Sequence, residues 1–278
     1  MAQRPLLITR RAWPVAMAGL AAATAAGHAA GAASEDPQAS PIWQKIRAQL
    51  FGQREIILAQ DAALSLSAPR RADDPAFVPL AVRSSLGAAV RKLTLVIDQN
   101  PSPIAALFEF PEGGALPDIE TRSRVDEYSF VRAIAETRDG RLYMAARYVK
   151  ASGGCSAAAG ADEAAAEAAM GRMRFRAEGA PVEGQPMTVQ WMVSHPNHSG
   201  MAMNQVSRLF TPAHYVRFVK IWQGDRLLLD ADVDFALSEN PSLRFRFVPQ
   251  GTAPLRAEVV DTRERRFSAS VALKDLAG

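Results

Sequence analysis

Cys155 is the only cysteine in the 278 residues of the chain. It sits in Lys150-Ala-Ser-Gly-Gly-Cys-Ser-Ala-Ala-Ala-Gly160. A thiolate is both a nucleophile and an attachment point for other groups, so this residue is where chemistry would centre. Gly153 and Gly154 thin the chain and open backbone conformations closed to other residues, and small side chains follow on the far side. Only Tyr148 and Lys150 lie near enough in sequence to shield the sulfur. The pattern predicts an exposed, mobile thiol with a pKa near the ordinary ~8.5. Five or six extended residues could carry it roughly 15–20 Å from the body of the protein. Enzymes hold a nucleophile rigidly beside a base, and no histidine or acid stands beside Cys155 to serve as one. A thin, mobile arm suits a non-enzymatic covalent carrier. The alternative is a non-catalytic interaction module in which Cys155 forms intermolecular disulfides and so a disulfide-linked dimer.

A second cluster is His195-Pro-Asn-His198-Ser-Gly-Met201-Ala-Met203. Imidazole and thioether together suit copper, which makes His195, His198, Met201 and Met203 the candidate metal ligands. The plainer reading is a Pro/Gly-shaped loop packed at an interface, with no metal and no cofactor. A Cys155–His195 or Cys155–His198 dyad would need a rigidity that the two glycines do not supply. Asp98, before Gln99-Asn100-Pro101, reads as a turn former at a strand end. Tyr148 and Lys150 read as a strand terminus, and Trp191 and Trp222 as core.

The elements that must position these residues are mostly strands. Residues 41–52 (PIWQKIRAQLFG) space Ile42, Trp43, Ile46, Leu50 and Phe51 as one helix face closed by Gly52. Segments 77–86 and 90–100 are rich in Val, Ile, Leu and Thr, and 127–152 alternates on both sides of Asp139-Gly140, a tight hairpin turn. Residues 156–171 break the pattern with an Ala/Glu run that reads as a marginal helix or a tether. Strand patterns resume with MRFRAEG, MTVQWMVSH, a hairpin at Gly224-Asp225, and the alternation Arg244-Phe245-Arg246-Phe247. About six short strands with no interleaved helices argue for a sandwich. The chain therefore reads as all-β, with two domains on either side of an Ala-rich linker.

Residues 1–33 carry Arg4, Arg10 and Arg11, an Ala/Gly-rich apolar run and no acid. That is the layout of a secretory signal peptide, and Arg10-Arg11 suggests the twin-arginine (Tat) kind. It implies export to the periplasm. Of the 32 basic residues three lie in this leader, so the remainder balances 29 bases against 29 acids. The pI near 9.2 belongs largely to the leader, and no electrostatic case for nucleic acid survives. No later stretch is apolar for the ~18–20 residues needed for membrane insertion.

Taken together, the motifs resemble a known family. Residues 41–155 resemble SoxY, the carrier of thiosulfate oxidation, in Trp43…Arg47…Leu50-Phe51-Gly52, Ala68-Pro69…Arg71-Ala72, Val78-Pro79, Ile97-Asp98-Gln99-Asn100-Pro101 and Lys150-Ala-Ser-Gly-Gly-Cys155. Residues 172–278 resemble SoxZ in His195-Pro196…Gly200, Ser238-Glu-Asn-Pro241, Phe245…Phe247 and Val260-Asp261. The order is that of a SoxY–SoxZ fusion, like the SoxYZ-like carriers associated with quinoprotein dehydrogenases. The resemblance implies two immunoglobulin-like sandwiches, with a short helix on the first and the 156–171 linker between them. It also implies a sulfur intermediate held on Cys155. The partners would be periplasmic sulfur-oxidation enzymes, or c-type cytochrome and quinoprotein dehydrogenase components. In that family the arm ends Gly-Gly-Cys-Gly-Gly at a free C-terminus, whereas here Ser156 follows and the chain continues.

Overall fold

The computed structural model describes residues 36–59, 62–157, 163–182, 184–204 and 207–276. The leader read from residues 1–33 lies outside them. Helix α1 (Pro41–Phe51) starts where Ser40 accepts the amide of Trp43 and proline occupies the first turn, and it ends at Gly52 with φ 59°. The first half then runs β1 (Ile56–Leu58), β2 (Leu64–Ser67), β3 (Val78–Ser84), β4 (Val90–Ile97), β5 (Ile104–Glu109), β6 (Leu116–Ser123), β7 (Ser129–Thr137) and β8 (Leu142–Val149). A seven-residue helix α2 (Glu163–Ala169) follows. The second half comprises β9 (Met173–Ala177), β10 (Met187–Val193), β11 (Val216–Gln223), β12 (Arg226–Val233), β13 (Ser242–Phe247), β14 (Leu255–Asp261) and β15 (Arg266–Val271). Among the described residues no helix is long and apolar enough to cross a membrane.

The two halves share both layers of the sandwich. The described strands form a nine-stranded sheet, β1-β8-β7-β4-β5-β12-β11-β14-β15, and a six-stranded sheet, β2-β3-β6-β13-β10-β9. Each sheet crosses from one half to the other at one antiparallel seam: β5 with β12, where Phe108 faces Ala231, and β6 with β13, where Ile119 faces Phe245. Strand alternation explains this. Phe245 and Phe247 are buried while Arg244 and Arg246 point outward. The buried set, including Phe108, Ile119, Trp191, Phe245 and Phe247, forms one continuous core through both halves. The first-half strands of the two seams, β5 and β6, are ones the sequence pattern did not single out.

Helix α1 covers the outer face of the nine-stranded sheet. Trp43, Ile46 and Phe51 pack on Val96, Ile134, Leu142 and Met144. Leu50, expected on the same face, is exposed, and its neighbour Phe51 takes the buried position at the end of the helix. Asp98 is more than a turn former. Its carboxylate takes a two-pronged bond from Arg132, at 2.7 and 2.6 Å, and both side chains are buried. The guanidinium also stacks 4.3 Å over the Trp43 ring. The sequence therefore spends a buried ion pair to fasten α1. Trp191 is buried as expected, but Trp222 is only half-buried and lies under Arg256 at 4.1 Å.

Candidate functional site

The segment around Cys155 leaves β8 and is held before it becomes an arm. Lys150 pairs in parallel with Arg71: its amide donates to the Arg70 carbonyl, and its carbonyl accepts from Ala72. Gly153 then donates to the Asp126 carbonyl at 2.7 Å, and Gly154 to the Val125 carbonyl at 3.2 Å. The Cys155 amide donates to Asp126 Oδ1 at 3.0 Å. The Cys155 carbonyl accepts the Ser199 hydroxyl, which comes from the second half. The expectation of an exposed thiol is overturned: Cys155 is 0 % exposed.

The physical reason is the glycines themselves, which permit close approach as well as flexibility. A Cβ on Gly154 would stand 2.2 Å from the Pro75 carbonyl oxygen and 2.6 Å from that of Val125. Only a residue without a side chain can lie in this slot. Gly153 instead has φ +80°, and a Cβ there would meet nothing closer than the Ser156 hydroxyl at 3.6 Å, so it supplies the turn and Gly154 the fit. The thiol is accordingly hard to ionise. Burial pushes the Cys155 pKa up to about 12, Asp126 pushes the same way, and Arg124 partly offsets them.

Two asparagines build the cradle. Asn100, from the Asp98-Gln-Asn-Pro101 turn, donates to the Arg124 carbonyl and accepts from the Asp126 amide, both at 2.9 Å. It thereby fixes the strip 124–126 that the glycines lie on. Asn197, from the His195-Pro-Asn loop, holds φ 48°. Its side chain donates to the Leu237 carbonyl and accepts from the Val216 amide. Between them lies Arg124, 2 % exposed. It reaches the Gly154 carbonyl at 3.2 Å and the Asn197 carbonyl at 3.4 Å, one from each half of the chain. Sequence reading missed Arg124, Asp126, Asn197 and Ser199 as site residues. Arg124-Val-Asp126 at a strand end looks like any solvated turn, and nothing local signals that 30 residues later a glycine pair will lie on it.

The histidine loop forms a different cluster from the one its spacing suggested. His195 joins His214 and Asp261, with donor atoms all within 4.8 Å of one another and all three residues buried. His198, Met201 and Met203 do not supply that group. His198 is paired through its backbone with His214, and Met203, largely exposed, with Phe210. Asp261 is gripped by His214 at 2.8 Å and by Arg265 at 3.0 Å, which holds its carboxyl well below the usual range. The Asn197 amide donates to His195 Nδ1 at 3.0 Å. In the neutral ring the proton therefore sits on Nε2 and faces Asp261 Oδ2 at 3.6 Å. A metal-bound imidazole does the opposite and donates through its outer nitrogen. The geometry fits a buried structural network better than a metal centre. His195 Nδ1 is thus already taken by the Asn197 amide, and the charged groups that bear on the Cys155 pKa are Asp126, Arg124 and Asp234.

Comparison with known proteins adds the family context. Residues 47–155 match the family described as "Sulfur oxidation protein SoxY", and residues 174–272 match "Sulphur oxidation protein SoxZ". The first match ends on Cys155. Among solved structures, the sulfur carrier protein SoxY from Chlorobium limicola f thiosulfatophilum is 26 % identical, covering 39 % of this chain and 90 % of its own, with a TM-score of 0.33. A superoxide reductase (neelaredoxin) from Ignicoccus hospitalis T24K is 16 % identical over 32 % of this chain and 79 % of its own, with a TM-score of 0.29. No curated protein matches the chain.

Proposed function

This chain belongs to the SoxYZ family, as a SoxY and a SoxZ domain in tandem, and from that premise we propose that it is a periplasmic carrier holding a sulfur-containing intermediate covalently on Cys155. The observation that carries this reading is the coincidence of the SoxY match's last residue with the chain's only cysteine. On this reading the role is non-enzymatic, and burial keeps the resting thiol protonated. Its partners are sulfur-oxidation enzymes, or c-type cytochrome and quinoprotein dehydrogenase components of the same compartment.

The cradle sets how such a carrier works. A thiol with a pKa of about 12 is almost wholly protonated near neutrality, and a buried sulfur is out of reach of any partner. Loading and unloading therefore require residues 151–157 to lift from the Asp126–Val125 strip. Lifting breaks the amide bonds of Gly153, Gly154 and Cys155, together with the contacts from Arg124 and Ser199. Each is a net ~0.5–1.5 kcal/mol, so the stowed state dominates while opening stays accessible.

Intact and peptide mass spectrometry of protein taken from its native compartment tests the proposal. Sulfane or sulfonate adducts on Cys155 are expected, on a chain whose N-terminus lies between residues 31 and 35. A chain that retains Met1, or whose Cys155 is found only as a disulfide-linked dimer, refutes the periplasmic carrier and favours an interaction module.

A further inference from the structure

Among the described residues, Arg124 is a buried arginine near the thiol with no acidic partner at ion-pair distance. Arg132, equally buried, is matched by Asp98 at hydrogen-bond distance. Among the described residues Arg124 hydrogen-bonds two carbonyl oxygens, at 3.2 and 3.4 Å, and its Nε is buried with no partner. Desolvation depresses its pKa, offset in part by Cys155 when ionised and by the acids Glu239 and Asp74. An arginine held this way is poorly compensated, and a planar guanidinium with a spare donor is the group best shaped to grip an oxyanion.

The neighbouring acids say where the anion would be. Asp126 and Asp234 both raise the Cys155 pKa, so the surroundings do not favour negative charge on the sulfur itself. Asp126 spends one carboxylate oxygen on the Cys155 amide. Asp234 is itself shifted toward its neutral form by burial. Positive charge lies instead at the Gly154 carbonyl, one residue from the sulfur. A neutral thioether-like sulfur with a negative terminus a few bonds away matches that distribution.

We propose that Arg124 is the cargo-recognition residue of the stowed arm, binding the oxyanion end of a group attached to Cys155 and selecting anionic sulfur adducts over neutral ones. This rests on the carrier reading and deepens it. It also gives the stowed state a role: the loaded group is held at the seam between the two halves until a partner lifts the segment.

The test attaches two groups chemically, in denaturant, followed by refolding and intact-mass confirmation. With tetrathionate, the Cys155 thiolate attacks the central sulfur–sulfur bond, thiosulfate leaves with the bonding pair, and an anionic –S–S–SO3⁻ adduct remains. With methyl methanethiosulfonate, methanesulfinate leaves and a neutral –S–S–CH3 adduct remains. In the native sequence the anionic form should melt about 5 °C above the neutral form, the scale of one charge-assisted contact in a protein of this size. Arg124→Gln should abolish or reverse that gap, and Arg124→Lys should retain part of it. An anionic form that melts at or below the neutral one in the native sequence overturns the proposal, even if the Gln variant does not fold. So does a gap that survives Arg124→Gln. Because both adducts are installed by reagent, a cellular protein found without cargo would end the carrier reading without touching this result.

Discussion

Adding one methyl group at Gly154 should release the Cys155 segment. In the stowed state an alanine Cβ there would lie 2.2 Å from the Pro75 oxygen, 2.6 Å from the Val125 oxygen and 2.7 Å from its nitrogen. All three are backbone atoms of packed strips, so no side chain can swing aside. Overpacking of this kind costs about 1–3 kcal/mol, which shifts the closed-to-open ratio by roughly five- to 150-fold. The loss of global stability is capped, because once the strain exceeds the free energy of opening the segment simply lifts away. Tm should therefore drop only a few degrees while the thiol becomes reactive. The assay is the labelling rate of Cys155 with an aromatic disulfide at pH 8, normalised to a peptide of residues 150–157. The buried thiol reacts only once the segment lifts, and lifting breaks five hydrogen bonds at ~0.5–1.5 kcal/mol each, so the native protein should label at least about 10²-fold more slowly than the peptide. Gly154→Ala should recover about one to two decades of that deficit. Gly153→Ala, strained only by its φ of +80° at ~1–2 kcal/mol, should recover less. If Gly154→Ala labels at the native rate with an unchanged Tm, or if the native protein labels as fast as the peptide, the slot is not where the arm rests.

Three further outcomes follow from the fold. Asp98→Asn leaves the Arg132 guanidinium buried and uncompensated beneath Trp43, so urea unfolding should show a loss of about 3–5 kcal/mol and Trp43 fluorescence should shift to that of a solvated indole. Burial and the neighbouring His214 lower the His195 pKa from 6.5 to about 4; the unfolded chain takes up a proton that the folded one refuses, so this contribution is complete above about pH 6.5 and lost as pH falls toward 4. It amounts to up to about 3 kcal/mol, and His195→Gln should flatten urea midpoints measured from pH 7 to 4. Cutting at Glu163 or Glu167 with a glutamate-specific protease should leave the halves co-eluting on size exclusion, since β5–β12 and β6–β13 still join them; two separate monomeric fragments would contradict the shared sheets.

What could be read from the sequence was local. The α1 boundary was legible because Ser40, Pro41 and Gly52 each act within one turn, and the hairpins at Asp139-Gly140 and Gly224-Asp225 because the turn itself demands those residues. The inward Phe245 and Phe247 were legible from alternation alone. What joins the halves was not. Strand β6 has the sequence LPDIETRS, with a proline and two acids that read as loop, and it is a strand because Ile119 and Thr121 meet β13 more than 120 residues later. The error over Cys155 has the same origin. Gly-Gly-Cys-Ser specifies a chain that can move freely or can lie flat in a narrow slot, and only the distant Pro75 and Val125 backbones decide between them.

That ambiguity bears on how a carrier arm works in the middle of a chain. An arm at a free terminus can be threaded into a partner end first. Here Ser156 and α2 follow, so the segment can only bow outward as a loop, with Lys150 pinned to Arg70 and Ala72 on one side and α2 tied through Glu167 to Arg265 on the other. A bowed loop exposes its middle, and Cys155 is in the middle. The contacts that close it come from both halves: Asp126 and Arg124 from the SoxY half, Ser199 and the Asn197 carbonyl from the SoxZ half. The SoxZ half is thus part of the lid as well as a structural partner. Perturbing Ser199, 44 residues from the thiol in sequence, should loosen it: Ser199→Ala removes one hydrogen bond to the Cys155 carbonyl at ~0.5–1.5 kcal/mol and should raise the labelling rate about two- to tenfold with little change in Tm. An unchanged rate would mean that the SoxY half alone holds the segment down.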